Sequence, residues 1–259
     1  MNLENLFTLK GKTALVTGGS RGIGLMIARG FIAAGAKVII SSRKADVCDA
    51  VAAELAAAGG DCVSLPADLS TQAECRRLAG EVARREGVLH ILVNNAGANW
   101  GAPLEEYPES AWDKIYALNV KGIFHLTREC LPLLREAASK QDPARVINIG
   151  SVDGIRPPMF ENYAYAASKA AVHHLTRILA LRFKGDPITV NAIAPGPFES
   201  KMMAATLAQF REMIEASVPL GRIGTPEDMA GTAIFLASRA GAYLTGAIVP
   251  CDGGIASLG

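Results

Sequence analysis

The sequence lacks the charge asymmetry of a protein that binds polyanions. Its 26 Lys and Arg residues are nearly balanced by 25 Asp and Glu residues, which leaves a formal net charge of +1. The basic side chains are scattered along the chain, so they supply no local positive field. We therefore expect no nucleic-acid partner and no attraction to an anionic membrane.

The sequence also lacks the cysteine patterns of disulfide frameworks and zinc sites. It has five cysteines, an odd number, and no Cys-x-x-Cys pair. No stretch reaches the ~18 apolar residues of a membrane span. The first residues, from Met1 to Leu6, carry no basic segment followed by an apolar run. We predict a cytoplasmic protein that holds no metal.

The 259 residues, 50% of them hydrophobic, show a regular alternation of strand-like and helical segments. The predicted strands cover 13–16, 37–41, 61–65, 90–93, 145–151, 188–193 and 247–250. The predicted helices cover 25–34, 45–58, 71–85, 109–140 and 165–182, and another starts near 226. This alternation indicates a parallel sheet with both faces covered. No linker or repeat divides the chain, so we expect one domain over residues 1–259.

A glycine-rich turn at residues 17–24 joins the first predicted strand to a helix. Glycines let the backbone approach a phosphate closely, and the free N–H groups of the helix start hold its negative charge. The spacing Gly18-x-x-x-Gly22-x-Gly24 fits the dinucleotide fingerprint only loosely, so an ordinary tight turn is an equal alternative. Together with the alternation, it favours a Rossmann-type α/β fold, a doubly wound parallel sheet of about seven strands with helices on both faces.

The second predicted strand ends in Ser41-Ser42-Arg43-Lys44. At this position a carboxylate would bind the ribose hydroxyls of NAD and repel a 2′-phosphate. No carboxylate is present, whereas Arg43 offers a bidentate fork for a phosphate. Arg21 in the glycine turn could reach the same phosphate. The sequence therefore favours NADP(H), unless both arginines are solvated surface residues.

Two further strand ends carry polar residues at the edge where ligands lie in such sheets. The third strand runs into Asp68 and Leu69, and the fourth runs into Asn94-Asn95-Ala96-Gly97. For Asp68, an adenine contact and a plain helix N-cap are equal alternatives.

Tyr165 and Lys169 are four residues apart in a predicted helix, so their Cβ atoms lie roughly 5–6 Å apart on one face. A cation ~4 Å from a phenol favours the phenolate by roughly 4 kcal/mol at an effective dielectric of ~20. The pair therefore predicts a Tyr165 of lowered pKa in acid–base catalysis, although Tyr-x-x-x-Lys also occurs by chance. Tyr163 falls on a different helix face, where we expect it to pack or to line the pocket.

The long helix predicted for 109–140 contains Asn119 and is interrupted by Pro132. Asn competes for backbone hydrogen bonds in a helix interior, so Asn119 could mark a local kink with a purpose.

Seven motifs occur in one order along nearly the full chain. They are the turn at 17–24, the segment 94–97, Asn119, Ser151, Tyr165, Lys169, and Pro195 with Gly196. In this combination the chain resembles the short-chain dehydrogenases/reductases. It is most similar to the NADPH-dependent 3-oxoacyl reductases, in particular the rhamnolipid-biosynthesis type.

The resemblance implies roles for these residues. Nicotinamide delivers a hydride to a carbonyl carbon, Tyr165 donates a proton to its oxygen, and Ser151 orients that oxygen. Lys169 is implied to lower the pKa of Tyr165 and to hold the nicotinamide ribose, and Asn119 to support a water leading to Lys169. The cofactor contacts that we expect are Gly18, Ser20, Arg21, Gly22, Ile23, Gly24, Arg43, Asp68, Leu69, Asn95, Ala96, Gly97, Tyr165, Lys169, Pro195, Gly196 and Ser200. A homotetramer, or at least a homodimer, with contacts through 109–140 and 165–182 is also implied.

Three departures from the family pattern limit what the resemblance implies. Fourteen positions separate Ser151 from Tyr165, more than the common family spacing, so we expect a reshaped loop at 152–162. Ser200 stands where the family often has a threonine at the nicotinamide carboxamide. The docking arginines of carrier-protein reductases fall on Ala138 and Asp186, which makes a carrier-protein substrate less secure than a thioester in general.

Apolar, flexible side chains on loops surround the expected cleft and suit an acyl chain. They are Trp100, Met159, Phe160, Phe198, Met202, Met203, Leu207 and Phe210. Equally, part of this set could pack a lid helix or a subunit interface.

The leading hypothesis for the function is NADPH-dependent reduction of a 3-oxoacyl thioester. An NADP(H)-dependent carbonyl reductase or alcohol dehydrogenase acting on a small or cyclic ketone is the alternative. A non-catalytic dinucleotide sensor is a third reading, which the intact set of Ser151, Tyr165 and Lys169 disfavours.

Overall fold

Seven strands form the centre of the computed structural model, which describes residues 3–258. They are β1 (Thr13–Thr17), β2 (Lys37–Ser41), β3 (Cys62–Ser64), β4 (Ile91–Asn94), β5 (Ala144–Ile149), β6 (Ile188–Pro195) and β7 (Ile248–Cys251). Their order is β3-β2-β1-β4-β5-β6-β7, and every neighbouring pair is parallel. The order reverses between β1 and β4, and ligands of such sheets bind outside the carboxyl ends of the strands at this point.

Helices cover both faces of the sheet. They are α1 (Leu3–Phe7), α2 (Gly22–Ala33), α3 (Ala45–Ala57), α4 (Gln72–Glu86), α5 (Glu109–Tyr116), α6 (Ile123–Ala137), α7 (Tyr163–Arg182), α8 (Ala204–Ser217), α9 (Pro226–Ala237) and α10 (Ile255–Leu258). Successive strand residues point to opposite faces. Val16 therefore packs in one core with α2, α3 and α9, and Leu15 packs in another with α4, α6 and α7. The predicted doubly wound α/β fold is confirmed.

The long helix predicted for 109–140 is broken at a different place from the one expected. Helix α6 runs through Pro132, so the predicted interruption there is wrong. Pro132 and Arg128, whose carbonyl loses its helical partner, are both exposed, and water can satisfy that carbonyl. The irregularity lies earlier, in a π-helical segment at Ala117–Gly122 that contains Asn119. The local distortion expected at Asn119 is confirmed.

Other boundaries differ by a few residues from the predicted ones. Strand β3 is shorter than the predicted 61–65, and α7 begins two positions before Tyr165. The apolar segment after β6 forms a helix of its own, α8. These shifts leave Ser151 just beyond β5 and Tyr165 in the first turn of α7, so both side chains lie at the carboxyl edge of the sheet.

Candidate active site

The glycine turn connects β1 to α2 in a conformation that only glycine adopts readily. Gly18 and Gly22 have φ values of +64° and +53°. A Cβ atom on Gly24 would lie 2.3 Å from the Gly18 carbonyl oxygen, and one on Gly18 would lie 2.6 Å from Asn95 Nδ2. The turn therefore presents bare backbone at the switch point of the sheet.

Thr17 and Asn95 tie this turn to the end of β4. The Thr17 hydroxyl donates to the Val93 carbonyl at 3.1 Å and accepts from the N–H groups of Asn95 at 2.9 Å and Ala96 at 3.0 Å. The Asn95 amide donates to the Thr17 carbonyl at 2.8 Å. Sequence reasoning missed Thr17, although its place at a strand end directly before the first glycine was a usable signal.

The donors around the turn suit an anionic dinucleotide. Arg21 is the N-cap residue of α2 and makes no side-chain capping bond, which leaves the first helical N–H groups available for a phosphate. At the end of β2, the hydroxyls of Ser41 and Ser42 are buried without a hydrogen-bond partner, and Arg43 beside them is exposed. Unpaired buried hydroxyls require an explanation, and the exposed guanidinium beside them could hold a phosphate.

The segment after β6 closes against the turn from the other side. Gly196 packs on Asp252, where a Cβ atom would lie 2.8 Å from the Asp252 Cα. Four positions on, the Ser200 Cβ lies 3.1 Å from the place of a Cβ on Gly22. The structure thus places Ser200 next to the predicted phosphate-binding backbone, while Gly196 lies against Asp252.

Asp68 and Leu69 have different surroundings. Asp68 accepts from the Ser70 N–H at 3.1 Å, while the N-cap of α4 is Thr71, whose hydroxyl accepts from the Glu74 N–H. The N-cap alternative for Asp68 is therefore wrong. Leu69 is buried, its side chain packs in the core that includes α4 and α6, and its carbonyl would lie 2.6 Å from a Cβ on Gly122.

Helix α7 and the end of β5 bring Ser151, Tyr165 and Lys169 together. The Lys169 ammonium lies 5.4 Å from the centroid of the Tyr165 ring and donates to the Ile149 carbonyl at 2.7 Å. The Ser151 hydroxyl accepts from the Asp153 N–H at 3.1 Å. The predicted spacing of four residues therefore places amine and phenol on one helix face.

Asn119 links two parts of this site. Its Oδ1 accepts from the Ala98 N–H at 2.8 Å, and its Nδ2 donates to the Ala98 carbonyl and to Ser168 Oγ, both at 3.0 Å. The π-helical segment aims this side chain inward, since Asn119 is buried. Asn119 therefore joins the loop after β4 to the helix that carries Tyr165.

The pKa values of Tyr165 and Lys169, the central pair of the site, differ from expectation. Burial raises the pKa of Tyr165 to about 12, Asp153 acts in the same direction, and hydrogen bonding to Ser151 opposes both. Burial lowers the pKa of Lys169 to about 8, against the effect of Asp153. The predicted lowering of the Tyr165 pKa is wrong, because the ammonium faces the ring and bonds a carbonyl while desolvation disfavours the phenolate. The neutral phenol is nevertheless the form that can donate a proton.

The apolar residues proposed to line the cleft separate into two groups. Trp100, Met159, Phe160 and Met202 are exposed. Phe198 is 3% exposed and packs on Gly224, where a Cβ atom would lie 2.3 Å from its ring, so its assignment as a substrate residue is wrong. Met203, Leu207 and Phe210 belong to a small core beneath α8. The packing alternative is thus confirmed for part of the set.

Tyr163 and Tyr107 support the start of α7. Tyr163 donates to Glu161 at 2.7 Å, and its ring packs edge-on against Tyr107 at a centroid distance of 5.3 Å, so the packing role expected for it is confirmed. The Tyr107 hydroxyl accepts from the Ala164 N–H and donates to the Trp100 carbonyl, both at 3.2 Å. Sequence reasoning missed Tyr107, which no motif marks.

Within residues 3–258, no three or more His, Cys, Asp or Glu side chains come together as a metal site. In the same part of the chain, each helix is too short or too polar to cross a bilayer.

Comparison with known proteins extends the motif resemblance to the whole chain. The profile of the family described as enoyl-(acyl carrier protein) reductase matches residues 18–256. The rhamnolipids biosynthesis 3-oxoacyl-[acyl-carrier-protein] reductase of Pseudomonas aeruginosa is 53% identical over 250 residues, which cover 96% of this chain and 97% of the relative. The chain belongs to the short-chain dehydrogenase/reductase family. The resemblance stated from the motifs is confirmed.

Other members of the short-chain dehydrogenase/reductase family share the fold and carry different substrate names. The Pseudomonas aeruginosa RhlG/NADP active-site complex superposes with a TM-score of 0.94 at 51% identity, covering 99% of this chain and all of that one. A gluconate 5-dehydrogenase from Burkholderia cenocepacia, in complex with NADP and tartrate, superposes with a TM-score of 0.92 at 32% identity over the whole of both chains. Galactitol 2-dehydrogenase of Cereibacter sphaeroides is 38% identical over 98% of both chains.

Proposed function

We propose that this enzyme uses NADPH to reduce the 3-oxo group of an acyl thioester to a 3-hydroxyacyl thioester. The observation that carries the proposal is the grouping of Ser151, Tyr165 and Lys169 at the carboxyl edge of the sheet that also carries the glycine turn and the uncapped start of α2. The 53% identity to a reductase named for 3-oxoacyl substrates supports the choice of a thioester.

Each polar residue of the site has a step that its geometry supports. The cofactor, when bound, supplies a hydride to the carbonyl carbon. Ser151 hydrogen-bonds the carbonyl oxygen, a contact that strengthens as negative charge develops there. Tyr165, held neutral by its raised pKa, donates its proton to that oxygen, and Lys169 stabilises the phenolate that remains. Asn119 keeps the loop after β4 and α7 in register through its bonds to Ala98 and Ser168.

The hydrogen-bond donors described above indicate which residues would bind the cofactor. The glycine turn and the start of α2 would hold the pyrophosphate, and Arg43 with Ser42 would hold a 2′-phosphate. The relative RhlG was solved with NADP, and the sequence at the end of β2 here has no carboxylate that would repel the extra phosphate.

Loss of NADPH absorbance with acetoacetyl thioesters of increasing acyl length tests the function. We expect turnover with thioesters and weaker turnover with simple ketones, cyclic ketones and keto sugars. Preference for the ketones would instead support a carbonyl reductase or alcohol dehydrogenase, which the polyol and sugar-acid names of the 32–38% identical relatives favour. Binding of NADPH without reduction of any compound would contradict the enzyme assignment and support a sensor.

We also propose that the chain forms a homotetramer, or at least a homodimer, through α5, α6 and α7. Apolar side chains on these helices are exposed, among them Phe124 on α6 (41%) and Ile178 (50%) and Leu181 (74%) on α7. Exposed apolar area of this kind favours association. Light scattering is expected to give a multiple of the 27.2 kDa chain mass, and a monomer would contradict the proposal. A cytoplasmic location stays a prediction.

A further inference from the structure

Asp153 is a carboxylate beside the central pair that none of the proposed steps uses. It lies in the loop between β5 and α7, and its charge raises the pKa values of both Tyr165 and Lys169. Its main-chain N–H donates to Ser151 Oγ at 3.1 Å, and its Oδ2 accepts from Asn162 Nδ2 at 2.9 Å. Asn162 is buried directly before α7. Both the backbone and the carboxylate of Asp153 are therefore fixed relative to the site.

The loop that carries Asp153 packs closely against the helix that carries Tyr165 and Lys169. A Cβ atom on the next residue, Gly154, would lie 2.6 Å from the Lys169 carbonyl carbon and 2.7 Å from the Ala170 nitrogen. The loop thus packs directly on the α7 backbone at the turn that holds Lys169. Close packing of this kind keeps the charge at a set place beside the pocket.

The charged groups that face Asp153 do not neutralise it by a direct ion pair. Across residues 3–258, no salt bridge includes Asp153. Arg156, in the same loop, donates through Nη1 to the Ile255 carbonyl at 3.0 Å, and Lys169 donates to Ile149. His173 on α7, behind the loop, is neutral because burial lowers its pKa to about 4.

We propose that Asp153 selects the substrate by charge, favouring a carbonyl whose neighbouring group is neutral and rejecting one that carries a carboxylate nearby. Like charges repel strongly in a partly buried site because little water screens them. This inference deepens the proposed function and rests on it, since a thioester is neutral at the place where the corresponding free acid is anionic. A sugar acid such as gluconate is disfavoured for the same reason.

Two substrates that share one acyl group isolate the effect of charge. The N-acetylcysteamine thioester of acetoacetate is neutral, whereas acetoacetate itself is an anion at neutral pH. The quantity to measure is the ratio of kcat/KM for the thioester to kcat/KM for acetoacetate. Asp153→Asn removes the charge and keeps an oxygen for the Asn162 bond. We expect this variant to lower the ratio by ~10-fold or more, which corresponds to the removal of one like-charge contact.

Three controls separate charge from structure. Asp153→Glu keeps the charge and is expected to keep most of the discrimination. Glu161→Gln makes the same change in net charge at an exposed position and is expected to leave the ratio within ~2-fold of the wild type. The thermal midpoint of each variant shows whether it folds.

The pH dependence of this kcat/KM ratio distinguishes charge selection from a purely structural role of Asp153, because a structural role would not make the ratio depend on pH. Burial raises the pKa of Asp153, against the effects of Asn162, Arg156 and Lys169, so its carboxylate takes up a proton at a higher pH than an ordinary aspartate. The wild-type ratio is therefore expected to fall as the pH is lowered, and the Asp153→Asn ratio to stay flat over the same range.

Failure of charge selection and failure of the proposed function give different results. A wild type that reduces the thioester, with a ratio unchanged in Asp153→Asn at every pH, contradicts charge selection alone. A wild type that reduces neither compound contradicts the proposed function and this inference with it.

Discussion

Replacing Tyr165 by phenylalanine is expected to lower kcat about 10³-fold, in the middle of the range for loss of a general acid. The ring and its contact with Lys169 remain, and only the proton donor is removed. The binding of NADPH, followed by its fluorescence, should change much less than kcat, because the start of α2 and Arg43, which would hold its phosphates, are unchanged. The measurement is NADPH oxidation with a saturating acetoacetyl thioester.

The same assay yields a pH profile with a defined direction. Because the pKa of Tyr165 is about 12, the phenol stays protonated throughout the neutral range and supplies its proton there. Lys169 has a pKa of about 8 and stabilises the phenolate only in its charged form. Wild-type reduction is therefore expected to slow as the pH rises through about 8, as Lys169 loses its proton.

Tyr163 provides a matched control for Tyr165 in the same helix turn. Tyr163→Phe removes a hydroxyl that bonds Glu161 at the surface, and we expect kcat within ~2-fold of the wild type. A Tyr165→Phe enzyme with nearly full activity, or an equal loss in Tyr163→Phe, would show that the proton comes from elsewhere.

Replacing Arg43 by aspartate is expected to reduce kcat/KM for NADPH by ~100-fold or more. A charge-assisted hydrogen bond contributes about 1.5–3 kcal/mol, and the new carboxylate adds repulsion of the 2′-phosphate. NADH lacks that phosphate, and a carboxylate at this strand end can bind its ribose hydroxyls. The loss should therefore be far smaller for NADH, and the preference for NADPH should fall or reverse. Initial rates with each cofactor at a fixed thioester concentration measure it.

Lys184→Asp makes the same change in charge at an exposed position after α7 and should leave the cofactor preference unchanged. Equal losses with NADPH and NADH in Arg43→Asp would refute the role of Arg43. Such a result would leave Arg43 as a solvated surface residue and favour Arg21, in the glycine turn, as the residue that holds the phosphate.

Much of the fold could be read from local sequence because the signals that specify it are local. The alternation of buried strands with amphipathic helices predicted seven strands, and residues 3–258 form seven in a parallel sheet. The positive φ values of Gly18 and Gly22 account for the glycines of the first turn. Boundaries were less certain, since the ends of elements depend on contacts such as the Thr71 cap of α4. The interruption predicted at Pro132 was wrong because Pro132 is exposed on the helix surface, where the helix tolerates it. That exposure depends on tertiary structure.

The sequence by itself determined which residues could do chemistry: a phenol and an amine four residues apart, a serine at a strand end, and a turn that only glycine can make. Tertiary structure alone decided the protonation and the burial of these side chains. It partly buried Tyr165 and placed the charge of Asp153 near enough to act on it, which raised a pKa that spacing had predicted to fall. It also buried Phe198 against Gly224. The physical reason is that desolvation and through-space charge depend on every group that surrounds a side chain, and most of those groups come from distant parts of the chain.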